Sequence, residues 1–174
     1  GLNLSGAYKD NTKMITHHIF LGLGSNLGDK QKNIERAYRQ IKKRIGKIVS
    51  KSAFYITEPE GFESENQFVN SVCEVATTLT AREVLQETQE IEKKIGRTTK
   101  SENQQYADRI IDIDILLFDN QIIEEPGLLI PHPRLHFRNF VLTPFAEISP
   151  NTIHPVFDKS ILQLMSELSQ TSSR

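Results

Sequence analysis

Two aspartates separated by one isoleucine, Asp112 and Asp114, lie in the run R-I-I-D-I-D-I-L-L-F over 109–118. In a β-strand successive side chains alternate, so both carboxylates project from one face while Ile111, Ile113 and Ile115 project from the other. Two like charges this close repel unless a cation lies between them, and paired hard oxygen ligands suit Mg²⁺ carrying substrate phosphates. The competing reading is the polar face of an amphipathic strand. Asp is depleted from strands, and solvated strand faces more commonly carry Lys, Thr or Glu, so the metal reading is preferred.

Cations bracket this acidic pair in the chain. Arg97, Lys100 and Arg109 precede it, and His132, Arg134, His136 and Arg138 follow. Any one of them is adequately explained as a solvated surface charge. As a set they suit a polyphosphate, because arginine forks match phosphate oxygens and a divalent cation offsets the remaining charge. His132 and His136 also have the four-residue spacing of a zinc pair, but Pro131 and Pro133 oppose a regular helix there and no further ligand completes the set nearby. Phe68 and Asn70 share a strand face and offer a ring for stacking beside an amide with both donor and acceptor atoms, a pairing that can read a flat heterocycle. Taken alone they are also consistent with ordinary packing. The glycine loop G-L-G-S-N-L-G over 22–28 has the wrong spacing for a dinucleotide fingerprint and lacks a P-loop Lys-Ser/Thr pair, so a tight turn into a helix accounts for Gly24 and Gly28.

The elements that must position these groups follow from apolar periodicity. The run 19–23 reads as a first strand. Ile34, Ala37, Tyr38, Ile41 and Ile45 fall on one helical face, with Lys42, Lys43 and Arg44 at the negative end of the dipole and Gly46 placed to stop the helix. Residues 48–57 and 67–78 read as two strands able to form a wide antiparallel ribbon, separated by an acidic loop with Pro59 and Gly61. Thr80 and Glu83 form a capping box, and Val84, Thr88, Ile91 and Ile95 continue a buried stripe to Gly96. The polar loop 97–108 leads into the aspartate strand, followed by a Pro-rich segment 126–133, a short helix over 140–148 and a terminal amphipathic helix over 158–168. The order βαββαβ predicts an α+β, ferredoxin-like sandwich: an antiparallel sheet with helices on one face, plus a C-terminal helical extension. The isoleucines would face the helices and the aspartates the uncovered side.

The 174 residues carry a net charge of −1 and a single cysteine, Cys73. This length predicts a single domain over 17–174 with a core of its own, preceded by a polar leader or tag remnant over 1–16 in which Met14 is a candidate start. A near-zero charge gives no overall pull toward nucleic acid or an anionic membrane, and no run reaches the roughly 20 apolar residues of a membrane span. One thiol in an apolar strand points to a reduced protein of the cytoplasm. His17 and His18 read as the start of a strand rather than as a metal pair.

At this point the chain resembles a known family. G-L-G-S-N-L-G-D from Gly22, S-x-F-Y-x-T from Ser52, F-V-N from Phe68, I-E-x-x-I-G-R from Ile91, the aspartate run and I-P-H-P-R-L from Ile130 look like 6-hydroxymethyl-7,8-dihydropterin pyrophosphokinases. The resemblance implies an ATP- and Mg²⁺-dependent diphosphotransferase. It would move the β,γ-pyrophosphoryl group of ATP to the pterin hydroxymethyl oxygen and release AMP, in folate biosynthesis. It further implies two Mg²⁺ ions on Asp112 and Asp114, with Arg97 and Arg109 stabilising charge on the phosphates. Thr57, Phe68, Asn70, Asp112 and Phe140 would surround the pterin, with Phe68 and Phe140 sandwiching the ring. Glu92, Arg97, Lys100, Arg109, Ile113, His132 and Arg138 would contact ATP, and Tyr106 would be a lid aromatic closing over the site. Thr99, Glu58, Glu60 and Pro133 depart from the common pattern of the family. Both substrates are small molecules, and a monomer with no nucleic-acid or membrane partner is expected. The alternatives are a metal-dependent nucleotidyltransferase, which would release pyrophosphate, and a metabolite-binding regulatory module.

Overall fold

Strand β1 (His17–Ser25) lies inside an antiparallel sheet, with β4 (Phe68–Thr77) on one side and β5 (Asp112–Phe118) on the other. The computed structural model describes residues 15–57, 67–96 and 110–172. The expectations placed on residues 1–14, on the acidic loop with Glu58 and Glu60, and on Arg97, Thr99, Lys100, Tyr106 and Arg109 fall outside the described residues. Strand β2 (Gly46–Lys51) pairs with the far half of β4 and β3 (Tyr55–Thr57) with its near half, giving the order β2–β4–β1–β5 with β3 also on β4. With helices α1 (Lys30–Arg44) and α2 (Ala81–Gly96), the chain has the βαββαβ order and antiparallel sheet of a ferredoxin-like fold.

Helix α1 begins where the Asp29 carboxylate accepts from the Lys32 backbone N–H at 3.3 Å. Helix α2 begins with the expected capping box: Thr80 Oγ1 accepts from Glu83 N at 3.1 Å, and the Glu83 carboxylate accepts from Thr80 N at 3.0 Å. Each such pair satisfies backbone donors that a helix start leaves open. Ile34, Ile41, Ile91 and Ile95 pack against Ile19, Leu21, Ile113 and Ile115 in one core, so the isoleucines of the aspartate strand do face α1 and α2. Burying each of these side chains contributes about 1.5–3 kcal/mol.

The opposite sheet face departs from the expectation that helices cover one side only. Helices α3 (Asn139–Ile148) and α4 (Ile161–Ser172) bring Leu142, Phe145, Ile161 and Leu164 onto Phe20, Val72, Leu116 and Leu117, forming a second core across half of that face. A β-bulge enables this. The register shifts between Phe20 and Leu21, so Leu116 has no partner on β1 and both Leu116 and Leu117 enter the second core. An extra residue in one strand breaks the period of two. Among the described residues, that second core does not extend over Asp112 and Asp114. Between β5 and α3 the chain forms a hairpin, β6 (Ile123–Glu125) with β7 (Leu128–Ile130), where only a Pro-rich segment was foreseen.

Two further expectations are corrected. The predicted strand 48–57 is broken at 52–54 into β2 and β3. Gly46 does not act as a left-handed helix stop; it is the first residue of β2, and a Cβ there would lie 2.1 Å from the Ala76 carbonyl oxygen. The backbone of β4 therefore approaches too closely for any side chain. We expect Gly46→Ala to destabilise the protein by about 2 kcal/mol or more through backbone displacement, read from urea unfolding midpoints. An unchanged midpoint would show that β2 yields freely at this point.

Candidate active site

Antiparallel pairing sets Gly24 opposite Asp112 and Gly22 opposite Asp114. On the other side of β1, Gly24 is opposite Asn70, and Asn70 in turn is opposite Tyr55. Directly paired residues share a sheet face, so Tyr55, Asn70, Gly24 and Asp112 form one row across the sheet. The two glycines give β1 a floor with no side chains of its own in this row, where Leu116 packs over Gly22 and Gly24 is buried beside Asn70. Gly24 is thus a strand residue rather than the expected turn; a Cβ there would meet Asn70 Oδ1 at 3.0 Å. The turn belongs to Gly28, at φ +70°, and Asn33 ties it down by donating to the Leu27 carbonyl at 2.9 Å.

Asp112 and Asp114 are both half-buried on this face, as the alternation required. Glu92 reaches them from α2. Its carboxylate accepts from the Ile113 backbone N–H at 2.9 Å, satisfying a donor on the free edge of β5. Burial pushes the Glu92 carboxyl up to about 8; Asp112 and Asp114 push the same way and the Ile113 N–H opposes them. At neutral pH the proton on Glu92 removes one negative charge from a group of three carboxyls.

His132 stands on the other side of Asp114, with Nε2 3.8 Å from Asp114 Oδ2. Its Nδ1 accepts from the Arg134 backbone N–H at 3.1 Å, so in the neutral ring the proton resides on Nε2, toward the aspartate. Burial, followed by the charge of Arg138, lowers the imidazole to about 4 and keeps it neutral. The Arg138 guanidinium lies 5.2 Å from the centre of the Phe140 ring, at the start of α3. His136 does not join them: its ring packs on Phe137 and Phe157 at 4.7 Å.

Asn70 is 6 % exposed, and its Nδ2 donates to Thr57 Oγ1 at 2.8 Å. Phe68, one step along the same face, is half-buried and opposite Thr57. Phe140 is half-buried in the first turn of α3. Thr57, Phe68 and Asn70 thus come together on β3 and β4, as expected. On the far side of β5, a cleft of about 390 Å³ is lined by residues that include Leu85, Ile113, Asp114, Leu128, Leu129, His132 and Pro133. Its two walls are tied by Arg82 of α2, which donates to the Pro126 carbonyl at 3.2 Å and to Glu125 at 3.0 Å.

The glycine floor, the apolar walls Leu85, Leu128 and Leu129, and the Arg82 tie were not foreseen from the sequence. Glycines at alternating positions 22 and 24 of a predicted strand were a legible signal for the floor. The hairpin wall had none, because pairing of β6 with β7 depends on packing.

Among the described residues no group of three or more His, Cys, Asp or Glu comes together as a self-sufficient metal cage. Two half-exposed carboxylates on one strand face fit a hard cation that completes its shell with water and ligand phosphates, the usual habit of Mg²⁺. The arrangement can therefore hold an anionic ligand beside paired carboxylates, with an apolar cleft on one side and an aromatic-amide pocket on the other.

Residues 20–150 match the family model described as 7,8-dihydro-6-hydroxymethylpterin-pyrophosphokinase (HPPK). The chain is 41% identical over 138 residues to a 2-amino-4-hydroxy-6-hydroxymethyldihydropteridine pyrophosphokinase of Porphyromonas gingivalis, covering 79% of this chain and 93% of that one. A Bacillus subtilis protein of the same name is 40% identical over 130 residues, covering 74% and 76%. The folic acid synthesis protein FOL1 of Dictyostelium discoideum is 38% identical over 137 residues, which span 79% of this chain but 20% of that one. A crystal structure of Plasmodium falciparum HPPK-DHPS superposes with a TM-score of 0.75 at 18% identity, covering 92% of this chain and 44% of that one, and shares the fold. No helix among the described residues is long and apolar enough to cross a membrane. The chain belongs to the 7,8-dihydro-6-hydroxymethylpterin-pyrophosphokinase family, whose reaction is pyrophosphoryl transfer in folate biosynthesis.

Proposed function

We propose that the half-face of the sheet that carries Asp112 and Asp114 is where ATP and 6-hydroxymethyl-7,8-dihydropterin meet. The observation that carries this reading is the placement of Asp112 and Asp114 over the Gly22–Gly24 floor, between the apolar cleft and the Asn70 pocket. The nucleoside of ATP would occupy the cleft lined by Leu85, Ile113, Ile115, Leu128 and Leu129, with its triphosphate running toward Asp114 and His132. The pterin would lie along Thr57 and Asn70, its ring between Phe68 and Phe140. Asp112 and Asp114 would hold two Mg²⁺ ions, whose charge offsets that of the triphosphate.

The reaction is in-line attack. The pterin hydroxymethyl oxygen forms a bond to the β-phosphorus, the bond from that phosphorus to the α,β-bridging oxygen breaks, AMP departs with the bridging oxygen, and the hydroxyl proton is lost to solvent. Positioning and charge neutralisation supply most of the rate in such transfers, so no covalent intermediate is needed. His132, held neutral with its proton on Nε2, donates to a phosphate oxygen rather than acting as a base. Arg138 adds positive charge on the same side, and its contact with Phe140 couples the phosphate and pterin ends of the site. Glu92 holds the edge of β5 through Ile113 and so fixes the two aspartates in register. The roles of Arg97, Lys100 and Arg109 at the phosphates and of Tyr106 as a lid rest on the family resemblance. We read the protein as a cytoplasmic monomer.

Two substitutions test the assignment. Asp112→Ala should reduce AMP formation from ATP, Mg²⁺ and the reduced pterin roughly a thousandfold or more, the several kcal/mol expected of lost metal-centred stabilisation, with the circular dichroism spectrum unchanged. Near-normal turnover would remove the metal pair from the mechanism, and release of pyrophosphate in place of AMP by the unaltered protein would assign nucleotidyl transfer instead. Asn70→Ala should weaken pterin binding about tenfold or more, the equivalent of one or two hydrogen bonds, and leave ATP binding within about twofold. Equal losses for both ligands in calorimetry would make Asn70 a structural residue.

A further inference from the structure

Glu147, on the last turn of α3, makes three hydrogen bonds to the broken strand. Tyr55 Oη donates to its Oε1 at 2.5 Å, and the Ala53 backbone N–H faces both carboxylate oxygens at 3.2 and 3.3 Å. Ala53 lies in the break between β2 and β3, so its N–H has no place in the ladder with β4. The Glu147 carboxylate substitutes for the missing strand acceptor, and Tyr55 adds a charge-assisted bond. The bond to Glu147 raises the Tyr55 phenol above its usual pKa, so the tyrosine remains the donor.

Glu147 and Phe140 are seven residues apart on one helix, which places them on the same stripe two turns, about 10 Å, from each other. Any rotation of α3 about its axis therefore moves both. Tyr55 is directly opposite Asn70, the amide proposed to read the pterin, and β3 ends at Thr57, the partner of that amide. The contact at Glu147 thus joins the element carrying Phe140 to the elements carrying Thr57, Asn70 and Phe68.

We infer that Glu147 and Tyr55 are a positioning pair that sets the rotation of α3 relative to β3, and with it the width of the slot between Phe140 and Phe68 that accepts the pterin. Neither residue is required to touch the reacting atoms. The inference rests on the pterin-site reading above and adds to it the device that sets the placement of Phe140 relative to β3. Both side chains are partly solvated, so their bond contributes little to global stability and acts chiefly through geometry.

The test uses the full chain with ATP–Mg²⁺ and 6-hydroxymethyl-7,8-dihydropterin, binding each alone and then measuring turnover. Tyr55→Phe and Glu147→Ala should each raise the pterin Kd and KM about tenfold, with ATP affinity within about twofold of the parent, a displacement effect of the kind that misaligned sites show. Glu147→Gln, which retains an acceptor oxygen, should recover most of the loss. Adding Tyr55→Phe to Glu147→Ala should have almost no further effect on pterin affinity, because the two act as one unit. Parallel losses for ATP and pterin, or fully additive losses in the double variant, would overturn the pair as a positioning device. So would unchanged pterin binding in both single variants. If the unaltered protein bound ATP but not the pterin, the pterin-site reading itself would fall, and this inference with it.

Discussion

The pairing of β1 with β5 puts two residues without side chains opposite two residues with charged ones, and the site depends on that juxtaposition. Gly22 and Gly24 face Asp114 and Asp112 across one ladder. Neither glycine adds a side chain of its own to this row: a Cβ at Gly22 would meet the Leu116 side chain at 3.4 Å, and one at Gly24 would meet Asn70 Oδ1 at 3.0 Å. Asp112 and Asp114 are two residues apart on one strand, so their Cα atoms are held about 7 Å apart by the strand's rise rather than by flexible loops.

Charge gives this arrangement its chemical bias. The carboxyl groups of Glu92, Asp112 and Asp114 lie near one another at the edge strand of the sheet, and burial makes Glu92 resist ionisation up to about pH 8. The neighbouring imidazole resists the opposite change, staying neutral down to about pH 4 because burial and Arg138 disfavour its cation. Near neutrality Glu92 therefore keeps its proton and His132 offers an N–H donor beside Asp112 and Asp114. Such a set is poorly suited to binding a polyanion by itself and well suited to binding one together with divalent cations.

The second core shapes the face on which the proposed site lies. Helices α3 and α4 cover the half of the face that carries Phe20, Val72, Leu116 and Leu117, and their edge forms one wall beside the half that carries Asp112 and Asp114. Arg138 and Phe140 enter the site from the start of α3, while Glu147 anchors the end of that helix to β3. The hairpin β6–β7 forms the corresponding wall beyond β5, held to α2 through Arg82. A bare sheet thereby becomes a trough with aromatic and apolar sides.

Local patterns in the chain were enough to determine the order of the first six elements, the capping box at Thr80, and the direction in which Asp112 and Asp114 project. Each of these depends on residues within a few positions of one another, where side-chain period and backbone capping act directly. Of the residues the motif resemblance singled out, the fold places Glu92 and His132 beside the aspartate strand and joins Thr57 to Asn70 on the neighbouring strands. Only the tertiary structure decided that Gly24 is floor rather than turn, that Gly46 yields to the Ala76 carbonyl, and that a bulge at Leu116 turns two consecutive leucines into a second core. It also decided that Glu147 bonds to Tyr55, 92 residues away in the chain, at the break between β2 and β3. These features arise from contacts between segments far apart in the chain, and no local period encodes which backbone will come to lie against which.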